Sequence, residues 1–157
     1  MSKKRPLTEN EIALSQTIFG DRVNYSKVRI VESFFLRTNA VTIGNTIHFP
    51  KNQSCADFAL ASRVMQHWFV HEMTHVWQYQ NGFPVFFSGA LFAVCGAYYR
   101  QRIYCYDEHC HADGFSRMNM EQQANAVADY FIYHKMELCD TMQGFIHSSG
   151  CLKPKFW

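Results

Sequence analysis

The sequence predicts a single-domain α+β fold with a small antiparallel sheet, a central motif-bearing helix and a C-terminal helix that carries a glutamate. Three observations predict it. A capped helix opens the chain, two short β-branched runs flank a tight-turn dipeptide, and two long segments repeat their apolar residues at helical spacing. A length of 157 residues suits one domain. Nothing in the composition marks a linker or a repeat, so residues 1–157 are read as one unit, with 1–6 as a flexible tail.

Thr8-Glu9-Asn10-Glu11 fits a capping box, with a hydroxyl at the cap and a carboxylate three residues on. Ile12, Leu14, Ile18 and Phe19 continue it as a helical stripe that Gly20 stops. Lys27 to Val31 is strand-like in its β-branched content. Val41-Thr42-Ile43 and Thr46-Ile47-His48-Phe49 flank Gly44-Asn45, a hairpin turn, and Pro50 closes the second strand. From about Ala56 to Tyr79 the apolar positions Phe58, Val64, Met65, Phe69, Val70, Met73, Val76 and Trp77 follow helical periodicity, with one break expected, and Asn81-Gly82 ends it. A second long helix is expected from Met120 to Leu138, with Ala124, Val127, Ala128, Phe131 and Ile132 facing inward.

Composition narrows the function. Apolar residues make up 48% of the chain and aromatics 16%, which favours a packed globule over disorder. The formal net charge of +2 gives no footprint for nucleic acid, and the run Ser2-Lys3-Lys4-Arg5 reads as a solvated tail. The longest apolar stretch, Val85 to Tyr99, is shorter than the roughly 20 residues of a membrane-spanning helix, so no span is expected. Pro-Leu-Thr-Glu-Asn-Glu follows the N-terminal basic residues where a secretory signal would be apolar. Synthesis in the cytoplasm is expected, and any export would use a route that reads no cleaved signal. The scatter of six cysteines suggests reduced thiols in place of a disulfide framework.

The chemistry concentrates in His71-Glu72-Met73-Thr74-His75. Histidines four apart on a helix lie about 40° apart in projection at ~100° per residue, so both imidazoles reach one metal. Zinc takes neutral imidazole nitrogen, and Glu72 stands beside the first ligand, placed to deprotonate a water that the metal has acidified. Chance produces such a motif in about 2% of chains of this composition, and here it falls on an amphipathic helix as the mechanism requires. His67 lies one turn earlier on the same face and reads as a partly exposed helix histidine.

A third protein ligand is needed, and the extended motif with a further histidine is absent, because Gln78 and Asn81 occupy those places. Glu121, at the start of the last long helix, is the candidate. Ala124 leaves room for two helices to approach, and Asn125 and Asp129 follow at helical spacing as partners for the far nitrogen of a ligand histidine. The competitor is the cluster Cys105-Tyr106-Asp107-Glu108-His109-Cys110-His111, as a source of the third ligand or of a second zinc site. As a polar loop lining the cleft, it offers Tyr106 and His109, with Tyr104 and His111 beside them, to stabilise an oxyanion opposite Glu72.

The pairing of His-Glu-Met-Thr-His-Val-Trp-Gln with Glu-Gln-Gln-Ala resembles the Vgr-related zinc metallopeptidases, small bacterial proteins associated with type VI secretion and other contractile injection systems. Arg5-Pro6-Leu7-Thr8-x-x-Glu11-Ile12-Ala13-Leu14, Phe19-Gly20-Asp21 and Tyr25-x-x-Val28-Arg29-Ile30 are similar too. The resemblance spans most of residues 5–135. It implies a zincin-like metallopeptidase fold and a gluzincin-like site with His71, His75 and Glu121 on one zinc. The expectation is a zinc-dependent peptidase acting on a peptide or protein and linked to a secretion system, with Thr46 to Phe49 as the sheet edge that pairs with substrate. The alternatives are a secreted peptidoglycan-cleaving effector and an accessory module whose zinc is structural.

Overall fold

A computed structural model describes residues 3–82, 115 and 118–133. In chain order the elements are strand β1 (Lys4–Pro6), helix α1 (Glu9–Phe19), strands β2 (Arg29–Ser33), β3 (Val41–Ile43) and β4 (Thr46–Pro50), helix α2 (Arg63–Gln80) and helix α3 (Met120–Tyr133). The architecture is α+β, as the patterns predict. The stretch Val85 to Tyr99 and the cluster 105–113 lie outside the described residues. Among the described residues, no helix is long and apolar enough to cross a membrane, and Cys55 carries a free thiol.

The sheet is mixed and not antiparallel. Its order is β1-β2-β4-β3, with β2 and β4 parallel and the other two pairs antiparallel. After β2 the chain passes beyond its neighbour's place, lays β3 at the outside and returns through Gly44-Asn45 to put β4 between them. Gly44 has φ +59°, the left-handed conformation that the first position of such a turn requires. Thr46 to Phe49 therefore belongs to an interior strand, contrary to expectation, and β3 is the edge. Both runs have the composition of a strand, and local propensity carries nothing about strand order.

The N-terminal tail is also structured. Lys4–Pro6 pairs with Arg29–Val31, and a buried carboxylate anchors it. Glu11 is fully buried and accepts both guanidinium nitrogens of Arg5 at 2.8 Å, the Thr8 amide at 2.9 Å and the Phe58 amide at 2.9 Å. The Thr8 hydroxyl accepts the Glu11 amide in return, which completes the expected capping box. One side chain thus ties β1, α1 and the segment before α2 together. Glu11→Ala leaves Arg5 and two amides without their acceptor. It is expected to cost about 3–5 kcal/mol in denaturant unfolding, against under about 1 kcal/mol for Glu9→Ala on the exposed face of the same turn.

The same contacts explain why α2 starts at Arg63, seven residues after the apolar periodicity begins. The Phe58 amide is bound by Glu11, and the Asp57 carboxylate accepts the Ala59 amide in a local turn that competes with helix. Asp57 also accepts from Thr8 Oγ1 and Asn10 Nδ2, which pins the turn on the cap of α1. At its far end α2 stops where expected. Asn81 donates to the Trp77 carbonyl, and Gly82 takes φ +86°.

The core lies between the sheet and the helices. Ile30, Ile47 and Phe49 from β2 and β4 meet Phe58, Phe69, Val70 and Met73. Phe49 stacks on Phe58 at 4.2 Å between centroids and meets Trp68 edge-on at 5.1 Å. On the opposite side α2 packs along α3, where Ala124, Val127 and Ala128 are buried. Small residues at that seam let the helix backbones approach, and this brings Glu121 to the motif.

Candidate metal centre

Helix α2 sets two imidazoles one turn apart, and α3 sets a carboxylate over them. His71 Nε2 and His75 Nε2 are 3.2 Å apart. Glu121 Oε2 is 3.2 Å from the first and 3.4 Å from the second. All three residues are buried. An ion bound tetrahedrally at about 2.0–2.1 Å needs donors about 3.3 Å apart. The three atoms form one face of such a tetrahedron, so the donor set fits a four-coordinate metal.

The outer nitrogens fix the tautomers. Gln78 Nε2 donates to the Met120 carbonyl at 3.0 Å and to Gln123 Oε1 at 2.9 Å. A carbonyl can only accept, so the amide nitrogen must point there and Gln78 Oε1 must face His75 Nδ1, at 2.8 Å. His75 therefore carries a proton on Nδ1, and its neutral form would direct the Nε2 lone pair at the site. Asn125 Oδ1 does the same for His71 Nδ1 at 2.8 Å. Such partners orient ligand rings and raise their basicity.

The electrostatics describe a cation site. Burial alone would lower the pKa of His75, but the Glu121 carboxylate, with Glu72 and Gln78, outweighs it and raises the pKa to about 9. Burial pushes Glu121 the other way, yet its hydrogen bonds and charge interactions with His71 and His75 hold it well below the usual carboxylate range. A buried carboxylate facing two imidazoles retains positive charge, either a proton or a metal.

Glu72 is buried on the neighbouring side of α2, and its Oε2 accepts the Thr42 hydroxyl at 2.6 Å. The structure thus groups His71, His75 and Glu121 and sets Glu72 beside them. Tyr106 and His109 lie outside the described residues. Asn125 stands behind His71 as its spacing suggested, whereas Asp129 pairs with His67 at 2.7 Å. Each step of four up α2, through 67, 71 and 75, meets a step of four down α3, through 129, 125 and 121.

Two side chains at the site were not foreseen. Gln78 follows His75 by three residues, a same-face spacing that could have flagged it. Thr42 comes from a strand far away in sequence, and no local signal marks it.

A family model described as "eCIS core domain" matches residues 22–83, the stretch that holds β2, the hairpin and the whole of α2. The chain is 33% identical over 138 residues to the type VI secretion system spike protein VgrG2b of Pseudomonas aeruginosa, which covers 82% of this chain and 13% of the spike's length. The solved effector domain of Pseudomonas aeruginosa VgrG2b superposes with a TM-score of 0.69 at 30% identity, covering 91% of this chain and 82% of that one. On that identity and coverage, the chain belongs to the family of the VgrG2b effector domain.

Proposed function

We propose that this chain is a zinc-dependent peptidase acting as an effector of a type VI or related contractile injection system. The observation that carries the reading is the set of mutually 3.2–3.4 Å donors from His71, His75 and Glu121, with a buried acid beside them. Two imidazoles and one carboxylate leave a fourth position open, the pattern of catalytic and not structural zinc. The link to injection systems rests on the spike and effector-domain relatives.

When bound, zinc would supply a water acidic enough to lose a proton near neutral pH. Glu72 would serve as the proton carrier, its carboxylate taking a proton from the attacking water and returning it to the leaving amine nitrogen. Gln78 and Asn125 hold the imidazoles throughout. Among the described residues β3 is the sheet edge beside α2, and its outward backbone groups suit an extended peptide added as a further strand.

The test is metal stoichiometry with proton counting. The full chain purified without chelator should hold about one zinc, and the zinc-loaded protein should cleave a mixed peptide library. With His75 raised to about 9 in the metal-free chain, zinc must displace its proton below that pH. Calorimetry in buffers of different ionisation enthalpy should show release of about one proton at pH 7.5, and apparent affinity should climb with pH until about 9. Protein that holds no zinc, or loaded protein that cleaves no peptide, overturns the reading. Cleavage of peptidoglycan in place of peptides moves the substrate to the cell wall.

A further inference from the structure

The hairpin fixes the directions in which Thr42 points. Its turn has two residues, so Ile43 and Thr46 form the hydrogen-bonded pair next to it, and Thr42 opposite Ile47 forms a non-hydrogen-bonded pair. The N–H and C=O of Thr42 therefore point away from β4. Its side chain points to α2, where the hydroxyl donates to Glu72 Oε2 at 2.6 Å and lies 3.4 Å from the Glu72 carbonyl. A hydroxyl has one proton, and the shorter contact is in the range for a charge-assisted bond to a carboxylate.

Glutamate ends in a carboxylate whose last torsion is broad, so burial alone does not fix its rotation. Among the described residues, Thr42 is the side chain that donates to the Glu72 carboxylate. The bond engages Oε2 and not Oε1. We propose that Thr42 is the positioning residue for Glu72. Its hydroxyl sets the orientation of the carboxylate, so that Oε1 is the atom left to meet the attacking water. The inference rests on the peptidase reading. It adds that the orientation of the base is set by one side chain of β3.

The test uses the zinc-loaded full chain and a peptide that the unmodified protein cleaves. Thr42→Val keeps the β-branched shape and removes the hydroxyl, Thr42→Ser keeps the hydroxyl, and Thr42→Ala serves if the valine variant does not fold. The valine variant should lose about 10–100-fold in kcat, with KM changed less than about threefold and zinc content unaltered. Serine should restore kcat to within about threefold of the original. Crystal structures of the metal-free proteins give a second readout, independent of turnover. The Glu72 carboxylate should keep one orientation with threonine or serine and spread over several with valine. A valine variant with unchanged kcat, a serine variant as slow as valine, or a Glu72 orientation indifferent to residue 42 would each overturn the proposal. If no variant and no unmodified protein cleaves peptide, the peptidase reading falls, and the crystallographic comparison still decides whether Thr42 holds Glu72.

Discussion

Glu72→Gln is expected to leave the metal in place and reduce peptide hydrolysis by about 10³-fold or more. Glutamine has the same shape, and its side-chain oxygen still accepts the Thr42 hydroxyl, so the hold from β3 persists. It cannot take a proton from water. His71, His75 and Glu121 stay as they are, because none of the contacts that orient them passes through the Glu72 side chain. Zinc content by elemental analysis and turnover on the same preparation read the two effects separately. Hydrolysis within tenfold of normal would remove Glu72 as the base. Loss of zinc would make it part of the coordination or of the fold.

Glu121→Gln should have the opposite profile, with zinc affinity falling by at least about 100-fold and hydrolysis lost with the metal. A neutral amide is a poor substitute for the carboxylate that faces both Nε2 atoms. The metal-free protein offers an independent check. His75, raised to about 9 from about 6.5 unfolded, adds stability that is complete below pH 6.5 and disappears as pH rises through 9. The carboxylate of Glu121 is a main cause of that rise, so the decline between those pH values should flatten in the glutamine variant. Glu121 itself, held low, adds stability above its unfolded pKa that is lost as pH falls in acid. His109→Ala and Tyr106→Phe should leave zinc content near normal. A variant of either that loses zinc while Glu121→Gln retains it would transfer the third ligand to the 105–113 cluster.

The parts of this molecule legible in its sequence are those that local physics decides. Thr8 and Glu11 cap each other within one turn, Gly44-Asn45 bends within two residues, and Asn81-Gly82 ends a helix by its own conformations. The motif histidines face one way because a helix repeats every 3.6 residues. The start of α3 was legible too, and Asn119 caps it by accepting the amides of Glu121 and Gln122. What the sequence hid depends on partners far along the chain. Lys4–Pro6 looks like a basic tail until β2 is beside it, and Thr46–Pro50 looks like an edge until β3 is laid outside it. Phe58 has the periodicity of α2, but its amide belongs to Glu11. Glu121 could be nominated from the chemistry still missing at the site. Thr42 could not, because its relation to Glu72 exists only once the hairpin is folded against the helix.

The matched steps of four along α2 and α3 act as a key for helix register. Sliding one helix past the other by a single turn, about 5.4 Å, would break the His67–Asp129 and His71–Asn125 contacts together and carry Glu121 away from at least one of the two imidazoles it faces. Apolar seams built from Ala124, Val127 and Ala128 tolerate such a slip, since small side chains offer similar grooves at every turn. The polar contacts do not, because a slip separates the buried Glu121 carboxylate from an imidazole that faces it. Two of the three rungs close by direct hydrogen bonds and need no ion. Alignment of the two helices therefore does not depend on an ion between His71, His75 and Glu121.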